Sequence, residues 1–99
     1  MAAAGPGPRG EPRVAGDVTV HAHVVGIFYR GEGPEKEPLA REGDEVSEGQ
    51  AIGTIEALGR LVAVKAPVDG TIDELVAEDG QRVEYGTLIA RIRPAEGGA

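Results

Sequence analysis

Two stretches decide the fold: Gly43-Asp44-Glu45-Val46-Ser47-Glu48-Gly49-Gln50-Ala51-Ile52-Gly53-Thr54-Ile55 and Gly80-Gln81-Arg82-Val83-Glu84-Tyr85-Gly86-Thr87-Leu88-Ile89-Ala90-Arg91-Ile92. At a constant offset of 37 residues they share two glycines, a valine and two isoleucines. The acids just before them, Glu42 and Asp79, match as well. Upstream, Ala22 and Gly26 match Ala66 and Gly70 at an offset of 44. The seven-residue difference is an insertion in the first half, within Arg30 to Pro38. Two copies are too few for a solenoid, which needs stacked repeats. They suit a two-fold pseudosymmetric sandwich or barrel in which each half covers the other's apolar face. Glu42-Gly43 and Asp79-Gly80 predict turns with positive φ at the glycine. Gly49 and Gly86 let the chain fold back after each short valine strand.

Working outward from the repeat, the texture is all β. Short β-branched runs recur at close spacing, each broken by Gly, Asp or Pro. Strands are expected at about 17–23, 25–29, 45–47, 51–57, 61–66, 70–76, 81–84 and 87–93. Ile52 to Val64 tempts a helical reading, but Gly53, Gly59 and the alternation of Val62 and Val64 oppose it. Residues 1–16 are rich in Ala, Gly and Pro and read as a disordered arm. Residues 94–99 read as a frayed tail, which leaves a folded unit over 17–93.

Composition narrows the function. The 99 residues suffice for one small domain, and 40% are hydrophobic, mostly small aliphatics. There is no cysteine, so disulfides and thiol chemistry are excluded. No apolar run is long enough to span a membrane. Met1 to Gly16 lacks the pattern of a signal peptide, and a cytoplasmic protein is expected. The net charge of −7 repels phosphate backbones, so nucleic acid is not an expected partner. His21 and His23 alternate on one strand but have no third ligand of obvious spacing. The acids Glu32, Glu35, Glu37, Glu42, Asp44, Glu45 and Glu48 lack the ligand spacing of a calcium loop and read as a solvated face. No nucleophile arrangement and no phosphate-binding glycine loop is present.

Four segments carry a resemblance to a known family. Val25-Gly26-Ile27-Phe28-Tyr29-Arg30, Gly43-Asp44-Glu45-Val46 with Gly49-Gln50, Ala66-Pro67-Val68-Asp69-Gly70-Thr71-Ile72, and Gly80-Gln81-Arg82-Val83 with Tyr85-Gly86-Thr87-Leu88 resemble the biotinyl/lipoyl domains. They are most similar to those of biotin carboxyl carrier proteins of acetyl-CoA carboxylase, a component of fatty acid biosynthesis. The resemblance covers nearly all of 17–93. It implies a flattened barrel-sandwich hybrid of two four-stranded antiparallel sheets with pseudo-two-fold symmetry. The insertion stands where bacterial-type biotin carriers have a protruding thumb. Arg30, Glu32, Glu35, Lys36 and Glu37 are its candidate interaction residues.

The chain departs from the family at the attachment hairpin. There the family presents Glu-Ala-Met-Lys-Met, and the lysine carries biotin. The matching residues here are Glu56-Ala57-Leu58-Gly59-Arg60, with Gly59 in the lysine's place. Arg60 is no substitute, because a guanidinium stays protonated and is not an amine nucleophile. The two lysines of the chain are Lys36 and Lys65; moving Lys65 to the turn would need a gap in a stretch that aligns without one. This departure from the family implies a vestigial attachment turn and no biotin, and with no metal expected from the spacing of the histidines and acids, no active site of its own is expected. The resemblance implies a regulatory or scaffolding partner of biotin carboxylase or of biotin carrier subunits, with self-association left open. Two alternatives stand beside it: a working carrier modified at Lys65 or Lys36, and a stand-alone interaction module reusing the fold.

Overall fold

The computed structural model describes residues 16–95. Of the expected arm, 1–16, and tail, 94–99, residues 1–15 and 96–99 lie outside the described residues. Pro94 and Ala95 are not frayed, since Pro94 pairs with Gly70 at the end of the last strand and Ala95 N donates to Asp69 O at 2.9 Å. Eight strands form, each overlapping one read from the sequence: β1 (Val18–His21), β2 (Gly26–Tyr29), β3 (Glu45–Val46), β4 (Ala51–Ala57), β5 (Arg60–Lys65), β6 (Gly70–Leu75), β7 (Gln81–Val83) and β8 (Leu88–Pro94). The first is shorter than the expected 17–23. It stops at His21, where Ala22 turns to exchange main-chain hydrogen bonds with Thr87 and Gly86.

The strands pair antiparallel into two four-stranded sheets, ordered β1-β8-β6-β3 and β5-β4-β2-β7. Exchanging the halves of the chain (β1 for β5, β2 for β6, β3 for β7, β4 for β8) converts one order into the other. The repeat is thus expressed in the pairing.

The expectation of a flattened barrel is corrected. Among the described residues each sheet is open, and no ladder joins one to the other. Closure would require edge strands to pair across the sheets with a shared tilt and stagger. At one side the available edges, β3 and β7, are two and three residues long. At the other, β1 and β5 are separated by a groove. The architecture is a sandwich of two open sheets.

The core between them is built from repeat-related pairs. Phe28 and Ile72, Val46 and Val83, Ile52 and Ile89, and Ile55 and Ile92 are all buried. Burying such side chains is the main favourable contribution to folding, on the order of 1.5–3 kcal/mol each. Turn chemistry repeats too. Gln50 Oε1 accepts from Ser47 N at 3.0 Å, and Thr87 Oγ1 accepts from Glu84 N at 2.9 Å. Gly43 and Gly80 hold φ of +92° and +83°. The acids before them bind the opposite half: Glu42 accepts from Leu75 N at 3.0 Å, and Asp79 from Arg30 N at 2.8 Å.

The symmetry breaks where Phe28 replaces the smaller Ile72. A Cβ on Gly53 would lie 2.6 Å from the Phe28 ring. Its counterpart in the second half is Ala90, whose methyl is buried where no phenyl ring competes.

Candidate functional site

β4 and β5 form a hairpin closed by the Ala57–Arg60 pair, with Leu58 and Gly59 as its two turn residues. Their φ values are +52° and +79°. This is the mirror-image turn that matches strand twist, and glycine adopts it at little cost. Leu58 does so less readily, since a non-glycine residue rarely holds positive φ. Its side chain is fully exposed at 102%. A Cβ built on Gly59 meets nothing within 4 Å. Glu56 and Arg60 are exposed on either side. The fold therefore brings Glu56, Ala57, Leu58, Gly59 and Arg60 together as a protruding tip, and neither turn residue carries an amine.

Lys65 lies at the far end of β5 from this tip. Six residues of strand place it about 20 Å from Gly59. Lys36 belongs to the insertion, which closes on itself through Leu39 N donating to Arg30 O at 2.8 Å. Gly31 is required there, because a Cβ would come within 2.5 Å of Glu37 O. Thr54 Oγ1 on β4 donates to Gly31 O at 2.8 Å. Gly33 faces Leu61 of β5, with its Cβ position 3.6 Å from Leu61 Cδ1. The insertion thus lies against the hairpin. Sequence reading missed both contacts; the one trace of them is a threonine within the buried run Ile52-Gly53-Thr54-Ile55.

Glu32, Glu35, Lys36 and Glu37 are exposed on the insertion. Arg30 points elsewhere. Its guanidinium donates to Ala77 O at 2.9 and 3.2 Å, and to Leu75 O at 3.4 Å. It ties the base of the insertion to the second half of the chain.

The histidines do not share a strand face, since β1 ends at His21. His23 instead meets Tyr85 edge-to-face, with ring centroids 5.8 Å apart. Among the described residues no group of three or more His, Cys, Asp or Glu could hold a metal ion. No helix among them is long and apolar enough to cross a membrane. A groove of about 440 Å³ runs between β1 and β5, lined by Val20, His21, Val24, Val62, Val64 and Lys65 among others.

The family model described as "Biotin-requiring enzyme" matches residues 18–92. The chain is 41% identical over 71 residues to biotin carboxyl carrier protein of acetyl-CoA carboxylase 2, chloroplastic, of Arabidopsis thaliana, covering 72% of this chain and 28% of that protein. It is 35% identical over 86 residues to the biotin carboxyl carrier protein of acetyl-CoA carboxylase of Streptococcus pyogenes, covering 87% and 52%. The chain therefore spans about half or less of the length of these curated relatives. Among solved structures, the urea carboxylase of Kluyveromyces lactis superposes with a TM-score of 0.71 at 26% identity, over 84% of this chain and 7% of that one. A single-chain, multi-domain long-chain acyl-CoA carboxylase superposes with a TM-score of 0.71 at 18% identity, over 93% and 8%, which shows the shared fold.

Proposed function

The chain belongs to the biotinyl/lipoyl domain family, and on that premise we propose that it is a carrier-like component that works without biotin. The observation that carries the proposal is the turn: Leu58 and Gly59 occupy the tip of the β4–β5 hairpin. Biotin is held by an amide to a lysine amine, and no atom of these two residues can form one. The group does not fit the turn. Lys65 and Lys36 are amines in other surroundings, one at the opposite end of β5 and one in the insertion.

The reading is of a subunit that keeps the carrier's shape and lacks its chemistry. Carboxyl transfer in the family comes from the biotin, whereas contacts between subunits come from the protein surface. Losing the lysine removes the first and spares the second. Such a chain would bind biotin carboxylase or sister carrier subunits and scaffold or regulate their assembly. Competing for the same docking surface, it would lower the number of active carriers by mass action. The likeness to carrier subunits of acetyl-CoA carboxylase supports this choice of partner class.

The test is intact-mass spectrometry after co-expression with an active biotin ligase, for the natural chain and for Gly59→Lys. The expected result is no added mass on the natural chain and one biotin on the variant. Biotin on the natural chain refutes the proposal and restores a working carrier. No biotin on either chain means that a ligase no longer reads the hairpin, and shifts the reading to an independent interaction module.

A further inference from the structure

The β5 edge carries an inference separate from the attachment turn. Among the described residues β5 ends its sheet, with β4 on one side and no strand on the other. It is the longest of the four edge strands, six residues against four, two and three for β1, β3 and β7. Its sequence, Arg60-Leu61-Val62-Ala63-Val64-Lys65, sets four apolar residues between two cations. Leu61 is 50% and Val62 39% exposed, and Ala63 is exposed as well. Long, exposed apolar edges are templates for pairing with another strand. No proline or bulge of its own interrupts this one.

Hydrogen-bond parity defines what it offers. Ala66 bonds to the β4 side, donating to Gln50 O at 2.9 Å and accepting from Gly49 N at 2.8 Å. Along a continuous strand, main-chain groups alternate in direction. Arg60, Val62 and Val64 therefore face β4, while Leu61, Ala63 and Lys65 face outward. Among the described residues no hydrogen bond engages these outward groups.

We propose that this edge pairs antiparallel with the same edge of a second copy of the chain, centred on Ala63. In that register Ala63 faces the partner's Ala63, and Leu61 faces the partner's Lys65. All three outward residues of each copy then find hydrogen-bonding mates. Val62 falls opposite the partner's Val64, so the apolar row bordering the groove becomes continuous across the pair. Charge fits as well. Glu56 is the cross-strand neighbour of Leu61 and lies on the same face. One strand further along that row stands the partner's Lys65. The two-fold contact thus sets Glu56 and the partner's Lys65 on one face twice, two strand spacings or about 9.6 Å apart, with the opposite charges attracting across Leu61. The registers that would set Arg60 against the partner's Lys65 have the wrong hydrogen-bond parity. This self-complementarity favours a second copy over an unrelated strand.

The experiment is sedimentation equilibrium on the full chain from about 10 µM to about 1 mM, the range suited to a small interface. The expected result is a monomer–dimer equilibrium. Ala63→Pro removes an outward N–H and leaves the β4–β5 ladder its bonds, so it should weaken dimerisation at least about tenfold. Glu56→Lys and Lys65→Glu should each weaken it, and the double variant should restore it to within about twofold. A monomer throughout the range overturns the proposal. So does a dimer that survives Ala63→Pro with unchanged affinity, or a charge reversal that the second reversal does not rescue. Should Ala63→Pro fail to fold, the charge-swap cycle decides alone.

Discussion

Gly59→Lys can be worked through from the structure before any ligase is added. The Cβ position at residue 59 has no atom within 4 Å, so the new side chain meets solvent. What remains is backbone strain, because φ stays at +79°. A left-handed conformation costs an L-residue about 1–2 kcal/mol. Replacing glycine also restricts the unfolded chain, which offsets about 0.4–1 kcal/mol of that cost. The net loss is about 1 kcal/mol, or a fall in Tm of about 4–8 °C for a domain of this size. Leu58 already holds positive φ next door, so the hairpin tolerates a side chain in this region. Gly26→Ala is the contrasting case. Its Cβ would sit 2.1 Å from Glu56 O and 2.9 Å from Ile55 Cγ2, inside the β2–β4 ladder. The strands must part, with a loss of about 3 kcal/mol or more. Thermal unfolding followed by far-UV circular dichroism, with the natural chain and both variants in one buffer, tests the comparison. If Gly59→Lys falls as far as Gly26→Ala, the open, mirror-image turn is the wrong description of the tip. If Gly26→Ala is neutral, the close approach of β2 to β4 is wrong.

Three further outcomes follow from particular contacts. Gly53→Ala should destabilise by about 1–3 kcal/mol through its clash with Phe28, and Phe28→Ile should relieve part of that loss, so a denaturant double-mutant cycle should show coupling of at least about 0.5 kcal/mol. Thr54→Val should cost about 1–2 kcal/mol by urea unfolding, because it strands the Gly31 carbonyl beneath the insertion, while amide hydrogen exchange rises across 31–39. Arg30→Met should cost about 1.5–3 kcal/mol by the same measurement, since the Ala77 carbonyl loses a charged donor, and Glu32→Gln on the exposed loop should stay within about 0.5 kcal/mol.

Much of the molecule was legible in the chain because its turns are locally encoded. Gly43 and Gly80 hold the positive φ expected of them, and Gly49 and Gly86, read as points where the chain folds back, hold it too. Those four turns fix where the β3–β4 and β7–β8 segments begin and end. The attachment hairpin was located by resemblance to the family, with the strands expected to leave 58–60 between them; Arg60 instead begins β5, and Leu58 joins Gly59 in holding positive φ. Boundaries were less legible. The end of β1 at His21 depends on Ala22 bonding to residues 86 and 87, a contact no local pattern announces. The role of Arg30 was also hidden. In sequence it opens a charged insertion, yet its guanidinium turns to carbonyls more than forty residues away.

Resemblance to the family marked the residues at the hairpin tip; the sequence by itself determined the strands, the two-fold repeat and the glycine turns. These follow from steric rules acting over a few residues and from the alternation of apolar side chains. Tertiary structure decided what those elements build. It left two open sheets where a barrel was expected, because closure depends on how far edge strands lie from one another and on whether each is long enough to carry a ladder. It seated the insertion against β4 and β5 through Thr54 and Leu61. It also made Leu61-Val62-Ala63 an outer edge, since whether a strand is central or terminal is set by its neighbours in space and leaves no mark on its own residues.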